Sequence, residues 1–70
     1  MAHLTEATAT DYAQSMLSSW GYDGHTTGPA RWHDEDGVTV VLVPVMSPYG
    51  AAFGDYCVWL GEDGQLYGDL

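Results

Sequence analysis

The alternation of apolar and polar positions changes period once along the chain. From Thr5 to Trp20, apolar residues recur at Ala9, Tyr12, Ala13, Met16, Leu17 and Trp20. That is the i, i+3, i+4, i+7, i+8, i+11 series of one helical stripe. Thr5 or Thr8 can cap the helix, Thr8 and Asp11 have capping-box spacing, and Gly21 stops it. The stripe reads as core.

Beyond Gly21 the pattern becomes that of strands. Val38 to Val45 holds five valines in eight residues and is apolar at odd and even positions alike. β-Branched side chains lose rotamer freedom in a helix and pack well on a pleated sheet, so this is the central strand. Asp34-Glu35-Asp36-Gly37 reads as the hairpin tip that feeds it from a first strand at Ala30 to His33. Met46 to Gly50 is a wider turn, and a third strand runs from Phe53 to Leu60. Gly61 to Gly64 is a tight turn leading to a short fourth strand at Gln65 to Gly68.

Connections this short predict an α+β fold, with one N-terminal helix packed on a four-stranded antiparallel β-meander in a single domain of residues 1–70. The alternation puts Trp32, Val40, Leu42, Tyr56, Val58, Leu60 and Leu66 under the helix. It leaves Arg31, Thr39, Val41, Val43, Cys57, Trp59 and Tyr67 on the other face. A slip of one residue inverts such an assignment. That second face is too apolar for comfortable exposure, so a partner or a second subunit is expected to cover it.

Composition adds one strong fact. The chain has ten acidic residues, one arginine and no lysine, for a formal charge of −9. Almost every carboxylate lacks an internal partner, so self-repulsion opposes the compact state. The acidity reads either as a solubility or high-salt feature or as the complement of an external basic surface. It argues against direct binding to nucleic acid or to an anionic membrane. In a meander the first and third turns lie at one end of the sheet. Asp34, Glu35 and Asp36 therefore converge with Glu62 and Asp63, with Asp23 and Asp55 as supporting charges. Trp59 and Tyr67 are candidate aromatic anchors beside them, since both residue types are enriched at binding hot spots.

Candidate chemistries are weak by comparison. Asp34-x-Asp36-Gly37 has the start of a calcium loop, but the twelfth position, where a bidentate Glu belongs, is Val45. His3, His25, His33 and Cys57 show no short ligand spacing. Nothing marks Cys57 as activated by His33 and Asp55, and the glycines form no phosphate-cradling loop. The expectation is a protein that is not an enzyme and uses no metal and no cofactor. Met1 to Glu6 has no basic n-region, no apolar run is long enough to span a bilayer, and one cysteine forms no internal disulfide. Cytoplasmic residence follows as the default.

In size, net charge, scarcity of lysine and arginine, and compact α/β pattern, the whole chain resembles the small acidic anti-CRISPR proteins of phages and mobile elements. The resemblance rests on these overall features and on no shared motif. It implies a stoichiometric inhibitor in the host cytoplasm that mimics DNA and occupies the basic surface of a CRISPR effector complex. The same features fit an inhibitor of another nucleic-acid-binding defence protein. A reading from a different class is an acidic module that homodimerises through the Val41, Val43, Trp59 and Tyr67 face.

Overall fold

A computed structural model describes residues 2–70, and Met1, where the stretch read for a leader begins, lies outside the described residues. The element order is α1 (Glu6–Ser19), β1 (Thr26–Thr27), β2 (Arg31–Glu35), β3 (Val38–Met46), β4 (Ala52–Leu60) and β5 (Leu66–Asp69). All strand pairs are antiparallel, with β3 at the centre, β4 and β5 following on one side, and β1 and β2 end to end on the other. The fold is the expected helix on a meander.

Helix α1 begins on a reciprocal cap. Thr5 Oγ1 accepts the Thr8 backbone N–H at 3.0 Å, and Thr8 Oγ1 accepts the Thr5 backbone N–H at 2.9 Å. The capping box is thus Thr5 with Thr8, where the sequence suggested Thr8 with Asp11. Ala9, Ala13 and Leu17 are buried against Val41, Val43, Val45, Tyr56 and Val58. The two alanines let the helix sit close on the valines, so a leucine at Ala13 would overpack the contact by about 1–3 kcal/mol. A Cβ at Gly68 would collide with the Tyr56 ring and crowd Tyr12, so glycine is what lets β5 pass this close to the core.

The buried set corrects the face assignment on the central strand. Val41, Val43 and Val45 lie under the helix, while Val40, only 4% exposed, stands outside that core cluster on the opposite face with Leu42. The residues of β4 and β5 face as expected, although Leu60, expected under the helix, is 43% exposed where β4 runs out toward its turn. Because β3 is apolar on both faces, alternation could not choose between its two settings. Trp32, expected in the core, is 50% exposed. It lies on edge strand β2, whereas the helix packs on β1, β3, β4 and β5.

Two irregularities interrupt the regular meander. Gly28, Pro29 and Ala30 oppose only Val43 and Pro44, which separates β1 from β2. Pro44 has no N–H to offer the edge strand, while its carbonyl accepts from Gly28 N–H at 2.8 Å. On the other side, Val45 pairs Gly54 and Met46 pairs Ala52, so Phe53 is the extra residue of a β-bulge. Phe53 packs edge-on to His25 at 4.8 Å and against Tyr22 at 5.5 Å, closing the end of the sheet where the helix finishes.

Candidate functional site

The β2–β3 hairpin closes on two residues. Glu35 pairs Val38, and Asp36 and Gly37 between them have φ of 51° and 81°. Positive φ at both positions is the type I′ geometry that suits the right-handed twist of a hairpin. The tip is therefore shorter than Asp34 to Gly37, and Asp34 and Glu35 belong to β2. Strand alternation then splits the acidic run. Asp34 lies on the helix side, accepting from Thr39 Oγ1 at 3.1 Å; Glu35 lies on the open face; Asp36 occupies the turn.

The β4–β5 turn sits at the same end of the sheet. Gly61 N–H donates to Gln65 O at 2.8 Å, and Glu62 and Asp63 are exposed within the loop it closes. Two strand spacings of about 4.8 Å separate the two hairpins, which puts the tips about 10 Å apart. Ala2 N–H donates to Gly64 O at 3.2 Å, so the start of α1, with Glu6 in its first turn, also lies at this end. Five of the sequence-predicted carboxylates are thus brought to one end, although they face different directions.

Asp23 and Asp55 are not part of that end. Asp23 follows the helix C-terminus, beside an open cleft lined by Ser18, Tyr22 and His25. The next strand, β1, pairs with Val45 and Met46 at the far end of β3. Asp55 accepts a hydrogen bond from Arg31 at 2.8 Å, so its charge is already compensated. All ten carboxylates are exposed, and no charged side chain is buried among the described residues.

The open face carries the aromatic candidates. Trp59 is half-buried, and Tyr67, directly opposite it on β5, is 42% exposed. The rings stack with centroids 6.4 Å apart and planes at 22°. Tyr67 Oη donates to Asp63 Oδ2, tying the stack to the acidic turn. That bond, with the Gln65 N–H, holds the Asp63 carboxyl below its ordinary range, and the same bond raises the Tyr67 hydroxyl. Tyr49 is 96% exposed but lies in the β3–β4 turn, away from the acidic end.

Asp69 adds a carboxylate outside the two turns. It pairs Cys57 and shares the open face with Tyr67, as the alternation of β5 alone would have placed it. Burial raises the Cys57 thiol first, and the charges of Glu35 and Asp69 raise it further. This is the opposite of nucleophile activation. Val41 and Val43 lie in the core and cannot form the dimer face drawn from the sequence. Among the described residues, no three His, Cys, Asp or Glu side chains stand together as a metal site, and no helix is long and apolar enough to cross a membrane. No family model matches the chain, and neither a curated protein nor a solved structure matches it.

Proposed function

We propose that this chain is a stoichiometric protein inhibitor that mimics nucleic acid and occupies the basic nucleic-acid-binding surface of another protein. A CRISPR effector complex is the partner that the class resemblance implies. The observation that carries the reading is the distribution of charge. Every carboxylate is exposed, and the sole lysine or arginine side chain, Arg31, is engaged by Asp55. The surface therefore presents negative charge with no free guanidinium or ammonium side chain to oppose it, and its densest part is the end formed by the two hairpins. Such a surface steers association with a positively charged cleft and competes there with phosphates. The activity is binding, with no chemical step.

The test is target-DNA binding by purified CRISPR effector complexes, with and without the protein, at low and high salt. The reading expects loss of DNA binding at stoichiometric protein, relief by neutralising Glu35, Asp36, Glu62 and Asp63 together, and weaker inhibition at high salt. Undiminished DNA binding by every effector at low salt would overturn the assignment to CRISPR. Inhibition indifferent to both salt and the four neutralised carboxylates would overturn mimicry.

A further inference from the structure

The open face of the sheet carries a feature that negative charge alone does not require. His33 pairs Val40, Trp59 pairs Tyr67, and continuing the Val41–Val58 register by one residue sets Trp59 beside Val40. His33, Val40, Trp59 and Tyr67 thus form one row across four strands, with two stacked aromatic rings at one end. Around it the uncompensated charges are of one sign. Glu35 and Asp69 share the face by alternation, and Asp63 holds the Tyr67 hydroxyl. The guanidinium of Arg31 lies on this face too but is bonded to Asp55.

We infer that the Trp59–Tyr67 end of this row is an arginine-stacking platform, which docks a guanidinium-bearing segment of a basic protein surface. The aromatic pair Trp59 and Tyr67 receives the planar cation, and Glu35, Asp63 and Asp69 neutralise it. The inference rests on the proposed basic partner but goes beyond it. It moves the specific contact from the hairpin tips to the sheet face, and it selects arginine over lysine. A guanidinium is planar and weakly hydrated and stacks on an aromatic face, whereas an ammonium is a compact, strongly hydrated point charge. Charge complementarity decides the occupant. A second copy docked on this face would bring the Glu35 and Asp69 carboxylates of both chains into one interface, with both Arg31 side chains already engaged. A nucleic acid could stack bases on the rings, but its phosphates would meet only carboxylates.

The probes are nona-arginine and nona-lysine peptides, titrated calorimetrically into the full chain at low salt. The platform predicts tighter binding of nona-arginine by about two- to fivefold, the size of an exposed cation–π contact. Trp59→Leu should weaken nona-arginine by about that factor and nona-lysine by less, so that the preference narrows. Should Trp59→Leu fail to fold, indole N–H resonances of the unaltered chain decide the matter. Nona-arginine should shift the Trp59 signal, with Trp20 and Trp32 as internal references. Equal affinity for the two peptides, or a Trp59 indole signal that moves no more than those of Trp20 and Trp32, would overturn the platform while leaving the basic-partner reading intact. Failure of both peptides to bind would overturn that reading and the platform with it. Self-association through this face, seen as a concentration-dependent dimer in sedimentation that Trp59→Leu abolishes, would make a second copy the occupant and overturn the platform alone.

Discussion

Arg31 on β2 reaches across β3 to Asp55 on β4, its Nη2 group donating to Oδ2 at 2.8 Å. It is the only guanidinium or ammonium side chain in the sequence, so this pair leaves the other nine of ten carboxylates without such a partner. The chain spends its one strong cation on its own sheet and directs the rest of its charge outward. Folding must therefore be driven by the valine, alanine and tyrosine core rather than by surface pairing.

The pair itself should be worth little. Its side chains are 54% and 40% exposed, and exposed ion pairs contribute about 0.2–1 kcal/mol. Arg31→Gln should nevertheless cost more than Asp55→Asn. Removing the cation leaves a carboxylate among nine others, while removing the carboxylate relieves repulsion. Urea midpoints of both variants in low salt should show that order, and high salt should narrow the gap. A larger loss for Asp55→Asn would mean that packing at Asp55 outweighs charge.

Tyr56 is fully buried beside Tyr12 and Trp20, and its hydroxyl has no hydrogen-bond partner among the described residues. An unsatisfied buried hydroxyl costs about 1–3 kcal/mol, so Tyr56→Phe should raise the urea midpoint. Tyr56→Ala should lower stability by about 3–5 kcal/mol through the lost ring and the cavity it leaves. A lower midpoint for Tyr56→Phe would show that the hydroxyl is hydrogen-bonded in solution.

These residues also show why parts of the molecule were legible in the sequence and others were not. The helix and the four principal strands follow from a stripe at helical spacing, a valine run and glycine-rich turns, all of them local signals. The setting of β3 was not legible, because Val40, Leu42, Val41 and Val43 give a register no polar side to exclude. Alternation gives Trp32 its correct face, opposite core Val41, but the limit of the helix's coverage is a tertiary fact. The split of Asp34, Glu35 and Asp36 turned on whether the hairpin closes over two residues or four. Asp36-Gly37 is a strong type I′ signal that favours two. The Arg31–Asp55 pair joins strands on either side of β3, and only the assembled sheet brings them together.

The Asp63–Tyr67 bond makes a pH prediction at both ends of the scale. The Asp63 carboxyl is lowered on folding, so its contribution is fully present above the ordinary carboxylate pKa of about 4 and is lost as pH falls through the lowered folded value. The Tyr67 hydroxyl is raised on folding, so its contribution is present below about 10 and is lost as pH rises through the raised folded value. Tyr67→Phe should remove the main cause of the Asp63 shift and move its carboxyl titration, followed by NMR, towards the ordinary range. The Gln65 N–H would hold it partly down. An unmoved titration would show that the Tyr67 hydroxyl is not bonded to Asp63 in solution.

The carboxylates should rank by where the strands aim them. Glu35, Asp63 and Asp69 border the aromatic row, Asp36 and Glu62 project from the tips, Asp34 is held by Thr39 on the helix side, and Asp23 lies at the far end. If the partner docks on the open face, single neutralisations at Glu35 or Asp69 should weaken binding more than Asp34→Asn, and Asp23→Asn should be nearly silent. Asp36 needs separate handling because its φ of 51° lies in the left-handed region. Asp36→Asn removes the charge and keeps a residue that tolerates the turn, whereas Asp36→Lys would mix a charge effect with backbone strain. Gly37→Ala, with φ of 81°, should destabilise the hairpin by about 1–2 kcal/mol without changing any charge, and so reports the cost of disturbing the turn alone. Association rates against the cognate basic protein, measured for this series at two salt concentrations, separate the possibilities. A graded loss that follows strand face fixes the docking orientation. An equal loss from every carboxylate, Asp23 included, would reduce the role of the charges to long-range attraction with no defined face.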